Sequence, residues 1–322
     1  MRRTPLLIGS AAVAVALGCA VVVVAACGGN PRAAPAAVAS ATGSPTAPTT
    51  AAPAPVVTSS APACPAWGCD QQRRFDAAAA LLRSKPGYLG VVVRDRQTGA
   101  VWRAGTDDHV MWTSSTIKLA VATSILERAR LGQVTLDATA RQQMAAMLAV
   151  SDNDAADALW NRYGKDTMLP RFRDVYGMTG LTFVSGFPRY WGFVKCSAED
   201  LARLMSYVLD RLNPADRNYL MGAMRSVGGI QHWGVWAAGA AQAPGTKDGW
   251  SIEQDPGGKH WCVSTVGFAG PGARYIVAVM YHLLPGSGSI DAGVHAVSDL
   301  VATAFGASTP APVTVPDPST GL

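Results

Sequence analysis

The chain has 322 residues, of which 49% are apolar and 15% are charged, and its formal net charge at pH 7 is +5. This length can bury the core of one large domain or of two small ones. Without Arg2 and Arg3 in the N-terminal segment the net charge is only about +3, which is too small and too scattered to indicate a nucleic-acid partner.

Residues 1–26 begin with positive charge and continue as an apolar run, which is typical of a signal sequence. The run ends in VAAC, a pattern that resembles a bacterial lipobox, and we predict that Cys27 is the lipidated first residue of the mature protein. An uncleaved membrane anchor is the alternative. Either interpretation places the remaining chain outside the cytoplasm, and we expect it at the outer face of the cytoplasmic membrane.

Residues 27–70 consist mainly of Ala, Pro, Ser and Thr, a composition that buries too little apolar area to fold. We predict a tether, stiffened by its prolines, that holds the folded domain away from the membrane. Residues 307–322 repeat this composition, and we predict a disordered tail there.

Residues 71–306 predict one domain of the α+β class. Its first element is a helix, with Phe75, Ala79 and Leu82 along one side. Two strands follow in YLGVVVRDRQTGAVWRAG, joined by a turn at RQTG.

A helical region then extends from Ser115 to about Met224, and three further strands follow in APGTKDGWSI, HWCVSTVGFAG and YIVAVMYHL. The last helix carries apolar residues at helical spacing: Val294, Val297, Val301 and Phe305. This order predicts an antiparallel sheet with terminal helices and a separate helical lobe.

Four cysteines lie after the predicted lipidation site: Cys64, Cys69, Cys196 and Cys262. An even number in an oxidising compartment favours two disulfides. We favour a disulfide between Cys64 and Cys69, which are close in CPAWGC, and a second one between Cys196 and Cys262. A zinc site is the alternative, but neither CPAWGC nor the two distant cysteines has a helpful histidine partner, and the five histidines show no metal-ligand spacing. We therefore predict no metal and no cofactor.

Ser115 and Lys118 stand where a polar loop meets an apolar helix, and no other lysine of the chain has a serine three residues before it. Residues so spaced share a helix face, and an alcohol becomes a nucleophile when a neighbouring base takes its proton. Two further short motifs follow in order: Ser151-Asp152-Asn153 between two helical runs, and GTKDGW on a strand.

Each motif has a structural alternative. Ser114 or Ser115 could cap one helix, Ser151 could cap the next, and Lys247 could be a solvated strand lysine. The tryptophans of RYWGF and QHWGVW could line a ligand cleft or fill the core.

At these three motifs the chain resembles class A β-lactamases and D,D-peptidases, whose signature is S-x-x-K, S-D-N and K-T-G. It is most similar to a bacterial lipoprotein subgroup whose third motif reads K-x-G-W. The resemblance implies a five-stranded antiparallel sheet flanked by helices, an all-helical lobe, and an active site in the cleft between them.

The resemblance also implies residue roles. Ser115 is the expected nucleophile and Lys118 its base, with a pKa lowered by burial and by the second cation, Lys247. Ser151 is expected to relay a proton to the leaving group, and backbone N–H groups of Ser115 and Trp250 to form an oxyanion hole. The residues expected to bind substrate are Asn153, Thr246, Asp248, Gly249 and Trp250.

Two features depart from the family pattern. Class A β-lactamases use a loop glutamate to activate the deacylating water, but residues 186–196 contain no acid. Glu199 and Asp200 follow, but Ser197 with Asp200 predicts a capping box, so we interpret both acids as structural. The other departure is Asp248, which replaces a small hydroxyl residue and, if it faces the cleft, would repel a substrate carboxylate.

We therefore predict a membrane-tethered serine hydrolase that forms an acyl-enzyme at Ser115 and turns over β-lactams weakly or not at all. Its expected substrate is a cell-wall peptide or another small amide or ester, and we expect a monomer. The alternative is a catalytically inactive, penicillin-binding-like module that recognises cell-wall fragments or a protein partner.

Overall fold

The structure, a computed structural model, describes residues 66–255 and 257–318. The predicted signal peptide, Cys27, Cys64 and most of the predicted tether lie outside these residues. Within the described part of the chain, no helix is both long enough and apolar enough to cross a bilayer.

The helices and strands of the described chain come in separate runs, which is an α+β order. The helices are α1 (Cys69–Arg83), α2 (Lys118–Arg130), α3 (Ala138–Ala149), α4 (Asn153–Tyr163), α5 (Leu169–Asp174), α6 (Ala198–Asp210), α7 (Pro214–Arg225) and α8 (Ile290–Phe305). The strands are β1 (Tyr88–Asp95), β2 (Val101–Gly105), β3 (Met111–Trp112), β4 (Thr182–Phe183), β5 (Val194–Cys196), β6 (Gly245–Asp255), β7 (Gly258–Ala269) and β8 (Tyr275–His282).

Five strands form the main sheet in the order β2-β1-β8-β7-β6, and every neighbouring pair is antiparallel. This confirms the predicted sheet and the predicted fold class. Strand β6 is an edge strand, so half of its backbone N–H and C=O groups point away from the sheet. A second sheet, in the order β3-β5-β4, was not predicted because its strands have only two or three residues.

Helices α1 and α8 cover the face of the main sheet that we call the back face. The apolar stripe of α8 is buried as predicted, with Val294 and Val297 fully buried and Val301 1% exposed. These side chains pack with valines of β1, β7 and β8. On α1, Phe75 and Leu82 are buried as predicted, and Ala78 is buried in place of Ala79. Each buried aliphatic side chain contributes about 1.5–3 kcal/mol.

The helical lobe covers the opposite, front face of the sheet. Its core of residues from α2 to α7 is continuous with Val266 and Phe268 of β7. Helix α6 begins with the predicted capping box, in which Ser197 Oγ accepts from Asp200 N and the Asp200 carboxylate accepts from Ser197 N. The prediction that Asp200 is structural is thereby confirmed.

The predicted disulfide between Cys196 and Cys262 is wrong. Cys196 is a free, fully buried thiol in the small sheet, whereas Cys262 lies on β7 of the main sheet. Burial raises the pKa of the Cys196 thiol well above its usual value. Counting cysteines cannot reveal this separation, because it depends on which sheet each strand joins. The predicted pairing of Cys64 with Cys69 stays a prediction, since Cys64 is outside the described residues.

Residues 307–318, which we predicted to be part of a disordered tail, run along the back of the domain to the cleft. Val315 is only 4% exposed, and its N–H donates to Asp291 Oδ1 at 3.1 Å. Farther along, Pro316 O accepts from Trp250 Nε1 at 2.9 Å. An average composition rich in Pro and Thr conceals single valines that can each fill a gap in the core.

Candidate active site

A cavity of about 460 Å³ lies between the helical lobe and the edge strand β6. The serines of the first two motifs line it together with Asn153 and Trp250. It is closed on other sides by Trp191 and Phe193 of the loop before α6, and by Pro316 and Pro318 of the C-terminal tail. The structure thus brings the first two motifs to one hollow beside the strand that carries the third.

Ser115 lies in a single 3₁₀ turn, Ser114–Ile117, that leads directly into α2. Side chains three residues apart eclipse one another in 3₁₀ geometry, so the turn directs Ser115 and Lys118 to the same side. Ser115 is 9% exposed and reaches the cavity, whereas Lys118 is fully buried behind it. The N-cap of α2 is Ile117, so neither serine has the capping role that was the structural alternative.

Ser114 has a left-handed backbone conformation, with φ of 46°. Its hydroxyl forms a 2.6 Å hydrogen bond with Ser251 Oγ of β6. This bond links the turn Ser114–Ile117, which we call the nucleophile turn after the predicted role of Ser115, to the edge strand. Non-glycine residues at positive φ cost of order 1–3 kcal/mol and persist where surrounding contacts fix them. This contact therefore holds Ser115 in place.

Ser151 lies at the end of α3 with φ of 63° and does not cap α4. Asp152 has that role, because its Oδ1 accepts from Ala155 N at 2.8 Å. The Ser151 hydroxyl is therefore available to the cavity, where its Oγ is 3.0 Å from Lys247 Nζ and 3.4 Å from Lys118 Nζ.

Lys118 Nζ donates two short hydrogen bonds of 2.6 Å, one to Ser151 O and one to Asn153 Oδ1. The ring of Trp191 covers it, with 4.6 Å between Nζ and the ring centroid. Burial, and secondarily the charge of Lys247, lowers the pKa of Lys118 well below its usual value. That is the direction predicted from the sequence. A neutral amine has two N–H donors, which the two carbonyl oxygens occupy, and one lone pair remains.

No hydrogen bond joins Lys118 Nζ to Ser115 Oγ among the described residues, although the sequence hypothesis rests on their contact. The hydroxyl that Lys118 approaches instead is that of Ser151. Ser115 Oγ faces the cavity.

Lys247 is fully buried, which excludes the alternative of a solvated strand lysine. Its Nζ has three acceptors, Ser151 Oγ at 3.0 Å, Gln231 Oε1 at 2.7 Å and Asp248 O at 2.7 Å. Three acceptors match the three donors of an ammonium group. Burial nevertheless lowers the pKa of Lys247 to about 7, although the Asp248 carboxylate acts in the opposite direction.

Asp248 points away from the cavity, since successive residues of a strand face opposite sides. Its Oδ1 accepts from Thr246 Oγ1 and Thr265 Oγ1, each at 2.6 Å. Thr246 and Asp248 are both fully buried and do not line the cavity, so the structure does not bring these two predicted substrate-binding residues to the cavity surface. The expected repulsion of a substrate carboxylate by Asp248 therefore has no basis at the cavity surface.

Gly249 is required by the close approach of β6 to the nucleophile turn. A Cβ atom at this position would lie 2.6 Å from Ser115 N and 2.8 Å from Thr116 N. Any side chain would push the strand away from Ser115. The contact places the backbone of β6 directly beside the backbone nitrogen atoms of Ser115 and Thr116.

The loop over residues 186–196 supplies an aromatic wall rather than an acid. Trp191 Nε1 donates to Asp157 Oδ1 at 2.7 Å, and the Tyr190 hydroxyl donates to the same oxygen. Glu199 is occupied elsewhere, by Arg94 at 3.2 Å and Arg103 at 2.9 Å. The structural interpretation of Glu199 is therefore confirmed.

Three residues of the site escaped the sequence analysis or were left undecided. Gln231 is fully buried, and its Nε2 donates to Leu148 O and Ala149 O, each at 2.8 Å, while its Oε1 accepts from Lys247. Nothing in the sequence distinguishes this glutamine or Asp157. Trp191 belongs to the RYWGF segment, and here the cleft interpretation is correct, whereas Trp233 of the second segment is fully buried core.

The fold is that of β-lactamase-like serine hydrolases. The family model of the Beta-lactamase enzyme family matches residues 73–141 and 138–305, and the chain belongs to that family. It is 29% identical over 213 residues to "Putative lipoprotein LppW" of Mycobacterium tuberculosis and Mycobacterium bovis. That match covers 63% of this chain and 65% of LppW.

Solved structures show the same fold at low sequence identity. A β-lactamase from Burkholderia vietnamiensis superposes with a TM-score of 0.60 at 21% identity, covering 74% of this chain and 96% of the other. A PBP-A variant, solved as an acyl-enzyme complex with penicillin G, gives a TM-score of 0.60 at 20% identity, covering 73% and 96% of the two chains. These likenesses establish the fold.

Proposed function

We propose that the protein is a serine hydrolase that forms an acyl-enzyme at Ser115 and releases the acyl group slowly. The observation that carries this proposal is the position of Ser151 Oγ, which lies within 3.4 Å of the amines of two buried lysines and lines the same cavity as Ser115. A structural role alone explains neither two buried lysines nor a hydroxyl between them, since burying amines is costly.

Activation of the nucleophile requires a neutral amine. The low-dielectric surroundings of Lys118 favour its neutral form, which retains one lone pair after its two N–H groups bond to carbonyl oxygens. In the proposed step, the Ser115 proton passes to Lys118, directly or through the Ser151 hydroxyl, while Ser115 Oγ attacks the substrate carbonyl carbon. A positioned base contributes typically about 10² to 10⁴ in rate.

The leaving group then needs a proton. Ser151 Oγ lies between the two lysines, so it can give its proton to the leaving nitrogen or oxygen and recover one from Lys118. Lys247 donates to Ser151 Oγ and provides positive charge close to the reacting atoms. That charge favours a substrate with a negative group near the scissile bond.

Negative charge develops on the substrate carbonyl oxygen at the place where β6 packs against the nucleophile turn. We assign the oxyanion hole to the backbone N–H groups of Ser115 and Trp250, which the close packing of Gly249 supports. Such a donor is worth about 2.7–4 kcal/mol in the transition state. Asn153 lines the cavity, and because its Oδ1 accepts from Lys118, its amide N–H₂ is directed to a substrate carbonyl.

Slow deacylation follows from the loop that faces the acyl position. Residues 186–196 contain no carboxylate, and Trp191 covers Lys118 where a water-activating acid would be needed. Without a positioned base, hydrolysis of the acyl-enzyme loses about 10² to 10⁴ in rate. Weak or absent turnover of β-lactams is the expected consequence.

For location and substrate, we propose lipid anchoring at Cys27, a tether over residues 27–70, and a small cell-wall peptide, amide or ester as the natural substrate. The lipobox pattern supports the anchor, as does the name of LppW as a lipoprotein. The volume of the cavity, about 460 Å³, suits a small substrate.

The test is covalent labelling of the full chain by a fluorescent penicillin and by a fluorophosphonate, followed by intact-mass measurement. Ser115→Ala should abolish both adducts. The matched control is Ser124→Ala. Ser124 lies on α2, and its buried hydroxyl has no hydrogen-bond partner among the described residues. This variant should label like the wild type, and the wild-type penicillin adduct should persist for hours.

Two results would overturn the proposal. Adducts that remain in Ser115→Ala would show that another residue is the nucleophile. Absence of any adduct in the wild type, with both probes, would instead favour a binding module that recognises cell-wall fragments or a partner protein without turnover.

A further inference from the structure

Three side chains that bind transition metals meet at one end of the main sheet, next to the β6 residues that line the cavity. They are His260 and Cys262 on β7 and His282 on β8. The cross-strand register places Cys262 directly opposite His282, and His260 lies two residues along the same face. One ligand atom of each residue lies within 4.8 Å of the other two.

The tautomer of His260 is fixed by its surroundings. His260 Nδ1 is 3.2 Å from Gly258 O, and a carbonyl oxygen can only accept a hydrogen bond. Nδ1 therefore carries the proton, and Nε2 has the lone pair. A hydrogen bond from the second ring nitrogen to a backbone carbonyl is the usual support of a metal-binding histidine.

The two imidazole rings are held side by side. The centroids of His260 and His282 are 3.6 Å apart, with an angle of 7° between the ring planes. His282 is also in edge contact with Tyr88, at 5.6 Å between centroids, which limits its rotation. An imidazole lone pair lies in the plane of its ring, so these stacked rings must rotate apart before both nitrogen atoms can bind one ion beside the Cys262 thiol.

We propose that His260, Cys262 and His282 form a zinc site. Zn²⁺ takes nitrogen and sulfur ligands at about 2.0–2.1 Å and 2.3 Å, so that tetrahedral ligand atoms lie about 3.3–3.6 Å apart. Separations within 4.8 Å need only side-chain adjustments to reach this geometry. The thiol loses its proton on binding, and Zn²⁺ accepts the thiolate and the two neutral imidazoles.

Three protein ligands leave one position of a tetrahedral site open, and a water molecule can fill it. With the three side chains bound, the metal would join β7 and β8 at their ends.

The site is distinct from the acyl-enzyme machinery but adjoins it. Cys262 pairs with Ser251, whose hydroxyl bonds to Ser114 Oγ next to the nucleophile. Zinc would therefore rigidify the strand against which the nucleophile turn rests, and its main effect is on stability. The prediction of no metal was made because the histidines show no metal-ligand spacing. Cys262 and His282 are 20 residues apart in the sequence, and only the pairing of β7 with β8 brings them together.

The experiment measures zinc bound to the full chain, after chelation and re-addition of metal. The wild type should bind one Zn²⁺ per chain by elemental analysis. Its Co²⁺ form should show thiolate-to-metal charge-transfer and tetrahedral d–d absorption. Cys262→Ser should lose the charge-transfer band, and both Cys262→Ser and His282→Gln should weaken Zn²⁺ affinity by at least about 100-fold, since loss of even an outer-shell partner costs about 10- to 100-fold.

Cys196→Ser is the matched control, because Cys196 is also a buried thiol but lies in the other sheet. It should keep the metal and the charge-transfer band. A second readout does not depend on the folding of any variant: Zn²⁺, but not Mg²⁺, should raise the thermal midpoint of the chelated wild type.

Zinc below one ion in ten chains, with no shift in the thermal midpoint, would overturn the proposal. So would equal loss of affinity in Cys196→Ser, or preferential binding of copper with no bound zinc. Covalent labelling of Ser115 is measured separately, so failure of the zinc site leaves the proposed hydrolase function untouched.

Discussion

The two sides of strand β6 carry opposite charges at neighbouring positions and use them differently. On the front side, Lys247 donates to Ser151 Oγ and to two oxygens, one of them from Gln231. On the back side, Asp248 accepts from Thr246 and Thr265, within the domain and out of reach of the cavity. Both residues are fully buried.

The difference lies in how completely each charge is satisfied. All three donors of Lys247 have acceptors, one of which is a hydroxyl at the cavity wall. Asp248 Oδ2 has no hydrogen-bond partner among the described residues, and burial raises the pKa of this carboxyl to about 7. The front side therefore directs its charge to a hydroxyl at the cavity wall, whereas the back side carries a group whose charged form is disfavoured by burial.

The largest expected effect is on the front side. Lys247→Met removes the cation beside Ser151, and the rate of labelling by a fluorescent penicillin should fall by about 10² to 10³, the range seen when a charge-stabilising donor is removed from an active site. Lys259→Met, at an exposed position of β7, should leave the rate unchanged. A Lys247→Met rate within threefold of the wild type would remove Lys247 from the mechanism.

The pH dependence of labelling should follow Lys118. The base acts when deprotonated, so the rate should rise about tenfold per pH unit below its pKa. Because burial and Lys247 lower that pKa, the rise should end well below the usual lysine value of 10.5, and the rate should then fall as Lys247, with a pKa of about 7, loses the charge beside Ser151. Stopped-flow labelling between pH 5 and pH 10 checks this, and a rate still rising at pH 10 would contradict it.

On the back side, Asp248→Asn should change stability rather than labelling. The pKa of Asp248 is raised from 3.8 to about 7 in the folded state, so its contribution is complete below pH 3.8 and is lost as the pH rises to about 7. Asparagine mimics the protonated form. The free energy of unfolding of the variant, relative to the wild type, should therefore grow between these pH values by at most about 1.4 kcal/mol per unit.

Urea unfolding at pH 5 and pH 7 measures this difference. An advantage of Asp248→Asn that stays the same at both pH values would show that the carboxyl does not titrate between them. In that case the proposed difference between Lys247 and Asp248 would not hold for Asp248.

The smallest expected effect concerns Trp250, which also faces the back side and binds the tail. Ending the chain after Val315 removes Pro316 and Pro318 from the cavity wall but keeps the buried Val315. The loss of one hydrogen bond should cost about 0.5–1.5 kcal/mol. Labelling by bulky penicillins should become several-fold faster, and an unchanged rate for probes of every size would show that the tail does not restrict entry.

The sequence predicted the fold well, because its strongest signals are local. Apolar residues at helical spacing in α8 and near-continuous apolar runs in β7 and β8 predict buried elements whatever their neighbours are. The capping box at Ser197 and Asp200 is local in the same sense. The short strands β3, β4 and β5 give no such signal, since their pairing arises from the loops around them.

For the candidate site, the sequence identified the residue types and the structure decided their directions. Ser115, Lys118, Ser151 and Lys247 were named from short motifs. The register of β6 with β7 decides that Asp248 turns to the back side and that Gly249 touches the nucleophile turn. No motif contains that register.

The amino-acid sequence by itself determined the order of helices and strands and the three motifs, because these depend on residues a few positions apart. Only the tertiary structure decided that Cys196 and Cys262 lie in different sheets, that Gln231 bonds to Lys247, and that His260 and Cys262 meet His282. Those contacts join residues distant in the sequence, and packing of the sheet against the lobe brings them together.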